Sequence, residues 1–322
     1  MKTREELQVP KAEFRSYYGR PILKQPHWRV PDVPLYLFLG GLAGASASMA
    51  ALADLTGRPE LARVGRLAAA GGASASVVAL IHDLGRPTRF LNMLRVFKPT
   101  SPLSVGSWIL APFSAAATTA AASSVTGLLP QVGRVAGIGA GVLGPALSTY
   151  TAVLLADTAV PAWHEYYPEL PFVFGGSALA SAAGAALVAA PPAEQAPARK
   201  MAVLGAGLEL AAMSRIERRG GVVGEPYRQG RPHQLLRAGR ILTGVGAGLA
   251  VLGRRSRLTS AVAGTALLAG GLCTRFGVFY AGRASAADPR YVVLPQRERL
   301  AAQAAQAGQR GTADGTTPSS TP

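Results

Sequence analysis

The chain has 322 residues, of which 49% are hydrophobic and 16% charged, with a mean hydropathy of +0.23. A soluble domain averages about 25% charged residues. Here charges are sparse inside long apolar runs and dense between them, which excludes one large soluble core and fits an all-α integral membrane protein. A net charge of +16 would suggest nucleic acid in a soluble chain. With the basic residues lying between apolar runs, they are assigned instead to topology and to contact with membrane lipid or an acidic partner.

Residues 1–33 carry seven Lys or Arg, several prolines, and Tyr17, Tyr18 and Trp28. Aromatics beside a span sit at headgroup level, so this stretch is read as an N-terminal interfacial segment. It holds no apolar core of signal-peptide length, so no cleavable signal is expected and the first span targets the chain.

A membrane-spanning helix needs about 20 apolar residues. Eight stretches qualify: 34–53, 64–82, 105–127, 133–156, 170–190, 199–215, 238–253 and 258–281. They define an eight-helix transmembrane domain over 34–282. The sixth and seventh are the least apolar. Ala and Gly dominate throughout, and small residues let helix backbones approach closely. Gly139, Gly141 and Gly144 match a GxGxxG pattern, but no strand precedes them and they sit in an apolar span, so the dinucleotide reading is rejected. Residues 283–322, rich in Ala, Gln, Gly, Thr and Pro, read as a disordered C-terminal tail.

An even number of spans places both termini on one side. That side collects most of the interspan Lys and Arg, so the positive-inside rule puts both termini in the cytoplasm.

Cys273 is the only cysteine, which rules out an intrachain disulfide and an all-cysteine iron–sulfur site. The histidines are His27, His82, His164 and His233, none of them mid-span. No haem and no iron–sulfur cluster is therefore expected in this chain.

The threading gathers polar residues at the terminus-bearing face. Tyr36 opens span one. His82 and Asp83 close span two. Tyr150 lies about two turns before the end of span four, followed by Asp157, Trp163, His164 and Glu165. The loop after span two adds Arg86, Arg89, Asn92, Arg95 and Lys98. Phenol, imidazole and carboxylate groups beside an apolar bundle suit a quinone. Its carbonyls accept hydrogen bonds and its reduced form must lose two protons. A histidine can take a proton from the quinol, and a neighbouring aspartate can fix its tautomer. The same residues have plainer readings. Tyr36 can be an interface anchor, Tyr150 can make a structural hydrogen bond, and His82-Asp83 can cap a helix and pair with Arg86 or Arg89. His164 and Glu165 can be a solvated loop, and Arg86 to Lys98 can serve topology and docking. Glu209 lies within span six. An acid at membrane depth points to a proton path or a buried pair, unless the span is shifted and Glu209 lies near the interface.

Several stretches resemble the NrfD-type membrane subunit of the polysulfide reductase family. They are Tyr17-Tyr18-Gly19-Arg20-Pro21, Leu39 to Gly44, His82 to Pro87, Arg89 to Pro102, Ser107-Trp108, Tyr150-Thr151 and Val160 to Glu165. The loop after span two is the most specific of these, and the likeness runs from about residue 14 to 295. The resemblance implies an eight-helix anchor in a bacterial cytoplasmic membrane that binds menaquinone. It also implies electron exchange with an iron–sulfur subunit wired to a molybdopterin catalytic subunit. Tyr150 matches a quinone-bonding tyrosine late in span four. Tyr36 takes the polar position near the start of span one, where the best-known member has a histidine. The resemblance places the partner subunits outside the cytoplasmic membrane, whereas charge counting puts the candidate rim in the cytoplasm.

On this reading Tyr36 and Tyr150 hold the quinone with Trp163 and His164 nearby, His82 with Asp83 exchanges protons, and Arg86, Arg89, Asn92, Arg95 and Lys98 dock the iron–sulfur subunit. The alternative is a proton-translocating subunit using Glu209, Asp157 and the His82-Asp83 pair. A secondary transporter would show internal repeats and broken helices in matching positions, and neither is evident. A passive anchor would leave Tyr150 and the rim acids without a common purpose.

Overall fold

The computed structural model describes residues 22–314 apart from 87, 254 and 255, with side chains described as far as 306. The Tyr17–Pro21 stretch lies outside the described residues. The fold is all-α. In chain order the helices are α1 (Asp32–Leu55), α2 (Pro59–Asp83), α3 (Thr88–Met93), α4 (Pro102–Thr126), α5 (Pro130–Ala156), α6 (Pro161–His164), α7 (Leu170–Ala189), α8 (Ala196–Arg218), α9 (Glu225–Arg228), α10 (Gly230–Leu252), α11 (Arg257–Ala287) and α12 (Arg290–Asp314). Many begin at a proline, as in α2, α4 and α5, where the missing N–H is an orphan anyway.

Among the described residues, seven helices are long and apolar enough to cross a membrane: α1, α2, α4, α5, α7, α10 and α11. The eighth expected span corresponds to α8. It has 23 residues, but Arg199, Lys200 and Glu209 interrupt its apolar surface. Two of those charges are turned inward, Arg199 8% and Glu209 2% exposed.

Neighbouring long helices pack antiparallel through glycine and serine. Gly44 meets Gly144, Ser148 Oγ donates to the Gly41 carbonyl at 3.2 Å, and Ser48 Oγ donates to the Gly141 carbonyl at 2.8 Å. These contacts set α1 against α5. Gly65 against Ala50 and Gly72 against Ala43 set α2 against α1. Gly176 and Gly205 join α7 to α8, Gly184 and Gly264 join α7 to α11, and Gly239 and Gly270 join α10 to α11. In lipid the drive for such seams is close packing and not water exclusion, and small residues permit it. α7 is central, touching α1, α5, α8 and α11. Outward-facing apolar residues such as Val78, Val135, Val142 and Leu204 form the surface expected to meet acyl chains.

The expected disordered tail is partly corrected. Residues 290–314 form α12, whose Arg290, Leu300 and run of Ala and Gln are good helix formers. Its start is pinned where the Arg290 guanidinium meets Glu225 at 3.1 Å and Asp288 at 2.8 Å, and where Tyr291 Oη donates to Glu225 Oε2 at 3.2 Å.

Candidate functional site

The antiparallel seams bring the start of α1, the ends of α2, α5 and α11, and α6 to one end of the bundle. There the tyrosine predicted to matter most lines a cavity. Tyr150, 8% exposed, shares the walls of a space of about 400 Å³ with Asp157, Pro99, Thr100, Pro102, Val105 and Val153. The ring is positioned by Gly106 of α4. A Cβ there would lie 2.1 Å from Tyr150 Cε2, so only glycine lets the ring lie flat against α4. Among the described residues the Tyr150 hydroxyl has no hydrogen-bond partner within the chain, so it is free to donate. Asp157, the residue that ends α5, supplies a carboxylate to the same space. A larger cavity of about 600 Å³ lies at the opposite end, between Arg199, Lys200, Val203, Leu204 and Val251. It offers cations and apolar walls but no acid or phenol, so it lacks proton-exchanging groups suited to quinol chemistry.

The other expected residues are not gathered at this cavity. Tyr36 is 5% exposed within the apolar core that also contains Tyr150, but it does not line the space. Its carbonyl accepts a hydrogen bond from Ser76 Oγ at 3.3 Å, which joins α1 to α2. His82 is paired across helices. Its Nδ1 lies 2.7 Å from Asp32 Oδ2, with the imidazole 70% exposed and Asp32 14%. The pairing of His82 with its neighbour Asp83 is thereby corrected. Asp83 Oδ1 instead accepts the Arg29 backbone N–H at 2.7 Å, tying the segment before α1 to the end of α2. The physical reason is helical geometry: adjacent residues point about 100° apart. Asp32 is the rim residue that sequence reasoning missed, and its only signal was its position at the first turn of α1.

Trp163 is fully buried. Its indole N–H donates to the Val278 carbonyl at 2.8 Å, and its ring stacks with Trp28 at 5.6 Å and lies 5.6 Å from Phe279. Gly282 makes room for it, since a Cβ there would lie 1.9 Å from the ring. Trp163 therefore locks α6 to α11 and stands apart from the Tyr150 cavity. Tyr227 Oη donates to the Ala162 carbonyl at 2.8 Å, and burial pushes the Tyr227 phenol well above its ordinary pKa. His164 is exposed and its Nδ1 lies 3.0 Å from the Ala156 carbonyl oxygen, on the helix end that carries Asp157.

Arg86, Arg89, Asn92, Arg95 and Lys98 are all exposed, on α3 and its flanking loop. Leu91, Val96 and Phe97 stand exposed among them, and Phe97 packs edge-on against Trp108 at 5.8 Å. This surface mixes cations and apolar groups and runs directly into Pro99 and Thr100, which line the cavity.

Glu209 is 2% exposed inside the bundle, away from the rim. Thr274 Oγ1 donates to its Oε1 at 2.6 Å, and Thr243 Oγ1 lies 3.5 Å from its Oε2. A second buried charge, Arg275, 1% exposed, lies near it. Sequence reasoning passed over Arg275, although a lone cation inside the eighth apolar run was a visible signal. Among the described residues, no group of His, Cys, Asp and Glu is arranged to hold a metal ion.

No curated protein matches the chain. The family model for polysulphide reductase, NrfD, matches residues 24–213, which spans α1 to α8 and includes the Tyr150 cavity, the His82–Asp32 pair, the exposed basic loop and Glu209. The chain belongs to the polysulphide reductase NrfD family.

Proposed function

We propose that this protein is the quinone-reactive membrane subunit of a respiratory oxidoreductase complex, with menaquinone bound in the cavity between α4 and α5. Membership of a family of membrane subunits of such complexes supports the general reading. The single observation that carries the quinone is Tyr150, whose hydroxyl has no hydrogen-bond partner among the described residues and which lines a space of about 400 Å³ together with Asp157. The lining fits the group: two hydroxyl donors in Tyr150 and Thr100, one acid in Asp157, and the four apolar residues Pro99, Pro102, Val105 and Val153.

When bound, the quinone would supply two-electron redox chemistry at a ring whose carbonyls accept hydrogen bonds. Tyr150 Oη would donate to one carbonyl and orient the ring. Asp157, exposed at the end of α5, would take up a proton released at the site. The His82–Asp32 pair, at the same end of the bundle, serves as a later proton acceptor in the rim. There Asp32 stabilises the imidazolium, the role first considered for Asp83. Tyr36 shapes the core behind the site.

The full complement is proposed as eight spanning helices, with α8 crossing through its inward-turned charges and both termini on one side. The basic and apolar surface of α3 and its loop docks an iron–sulfur subunit connected to a molybdopterin catalytic subunit. The location is a bacterial cytoplasmic membrane.

The test is menaquinone binding by purified protein in nanodiscs, comparing wild type with Tyr150→Phe and Asp157→Asn. Weakening of tenfold in Tyr150→Phe, about 1.4 kcal/mol, with the bundle intact, is expected. Equal binding by wild type and Tyr150→Phe refutes the cavity assignment. No binding by folded wild type with its partner subunits present refutes the quinone reading.

A further inference from the structure

Deep in the bundle, away from the Tyr150 cavity, an acid and a base lie within electrostatic reach of each other without forming an ion pair. Glu209 on α8 is held by the Thr274 and Thr243 hydroxyls. Arg275 on α11 spends one guanidinium nitrogen, Nη2, on the Phe174 carbonyl at 2.8 Å, and its Cζ lies 3.8 Å from the Phe174 ring centre. Its Nε and Nη1 are buried with no partner in the chain. Two further buried groups stand unpartnered on the facing helix, Ser177 Oγ and Ser181 Oγ of α7. A Cβ at Gly271, one turn before Arg275, would lie 2.2 Å from Ser181 Oγ and 3.1 Å from Ser177 Oγ. The orphan hydroxyls and the orphan guanidinium nitrogens thus share the seam between α7 and α11.

An unsatisfied buried polar group costs about 1–3 kcal/mol, more when charged. Four such atoms on one seam, beside a carboxylate that no guanidinium touches, call for a common polar filler. Water is the filler that can both donate to Glu209 and accept from Arg275. Arg275 is also the one charged group acting on Glu209 among the described residues. The other groups facing the acid are the neutral Thr243 of α10 and Thr274 of α11, while α7 presents Gly176, packed against the Glu209 backbone.

We propose that the seam between α7, α8 and α11 is a water-binding site in which waters bridge Arg275, Ser177 and Ser181 to Glu209, and that through these waters Glu209 exchanges a proton with bulk solvent. A proton relayed from bulk along the bound waters adds to a Glu209 oxygen, giving the neutral acid. Each water that passes a proton on takes one from the water behind it, so the waters stay neutral, and the reverse sequence returns the proton to bulk. The site is independent of quinone binding at Tyr150.

The test is infrared spectroscopy of the full-length protein in lipid, following the carbonyl stretch of protonated carboxylic acids with pH and on transfer to D2O. The expected result is a band that titrates with bulk pH and shifts in D2O, is absent in Glu209→Gln and moves in Glu209→Asp. The Ser177→Ala/Ser181→Ala double variant should slow its deuterium exchange at least tenfold. The aspartate variant keeps the assignment testable if the glutamine variant fails to fold. A Glu209 that stays ionised at every pH, a band indifferent to pH and D2O, or exchange unchanged in the double serine variant would each overturn the proposal.

Discussion

The α1–α5 seam gives a quantitative test of how the bundle positions Tyr150. A Cβ on Gly44 would lie 2.4 Å from the Gly144 carbonyl oxygen and 2.6 Å from Ser148 Oγ. Comfortable contact begins near about 3.5 Å, so Gly44→Ala must push the helices apart by roughly 1 Å. Separation weakens two interhelical hydrogen bonds, Ser148 to Gly41 and Ser48 to Gly141, each worth about 0.6 kcal/mol in a membrane bundle. Overpacking strain adds about 1–3 kcal/mol, so the expected loss is about 2–4 kcal/mol. Gly139→Ala is the control: its Cβ meets nothing within 4 Å, so it should match wild type or gain about 0.5–1 kcal/mol from helix propensity. Equilibrium unfolding in mixed detergent micelles measures both. Because Ser148 lies two residues before Tyr150, Gly44→Ala should also weaken menaquinone binding. A Gly44→Ala cost no greater than that of Gly139→Ala would refute the close-packed seam.

Tyr227→Phe should lose about 1 kcal/mol through its bond to Ala162. It should also flatten the alkaline limb of the stability curve. Burial raises the phenol's folded-state pKa, so its stabilisation is complete below the unfolded value and declines as pH rises above about 10. Thermal unfolding of both proteins between neutral and alkaline pH checks this, and parallel curves would contradict it. His82→Ala should change stability by less than about 1 kcal/mol, because the pair with Asp32 is largely exposed on the imidazole side. Any large loss of quinol oxidation in that variant then reports proton handling and not folding, and unfolding midpoints measured beside turnover separate the two. Asp83→Ala should release residues 22–30 to limited proteolysis, since it removes the acceptor for the Arg29 N–H. Protection equal to wild type would show that this bond does not hold the segment.

Hydropathy located the seven apolar helices as long apolar runs, though the first half of α10 is interrupted by Arg231, Arg237 and Arg240. It was weakest at α8, where Arg199 and Glu209 read as breaks in the run. Beyond Gln195, one turn before Arg199, their partners are distant: Ala250 and Ser260 for Arg199, Thr243 and Thr274 for Glu209. A one-dimensional scan sees the charge and not its remote partner. The same blindness affected His82, whose acid lies 50 positions away in Asp32, while the adjacent Asp83 turned elsewhere. Tyr150 was legible through its depth in a span and through the likeness to a known family. What no sequence pattern revealed is that Tyr36 and Trp163 are enclosed by packing and that Asp157 shares the Tyr150 cavity. Helix rotation decides which face looks inward, and Ala- and Gly-rich helices carry little amphipathic signal to fix it.

The polar centres differ in what it costs to hold them, and that difference ranks their value as functional signs. His82, Arg86, Arg89 and Lys98 stand in or near water, where a charge costs little, so their presence alone argues weakly for chemistry. Glu209 and Arg275 are enclosed within the helix bundle, and buried charges without direct pairing are a net burden on stability. Leucine or methionine in their place would give an easier bundle. Packing therefore gives no reason to keep them, and the unsatisfied nitrogens of Arg275 are the feature that a purely structural role leaves unexplained. Tyr150 lies between these extremes. Its ring is held by Gly106, yet its hydroxyl remains unspent beside an acid, an arrangement that becomes favourable only once an acceptor enters the cavity.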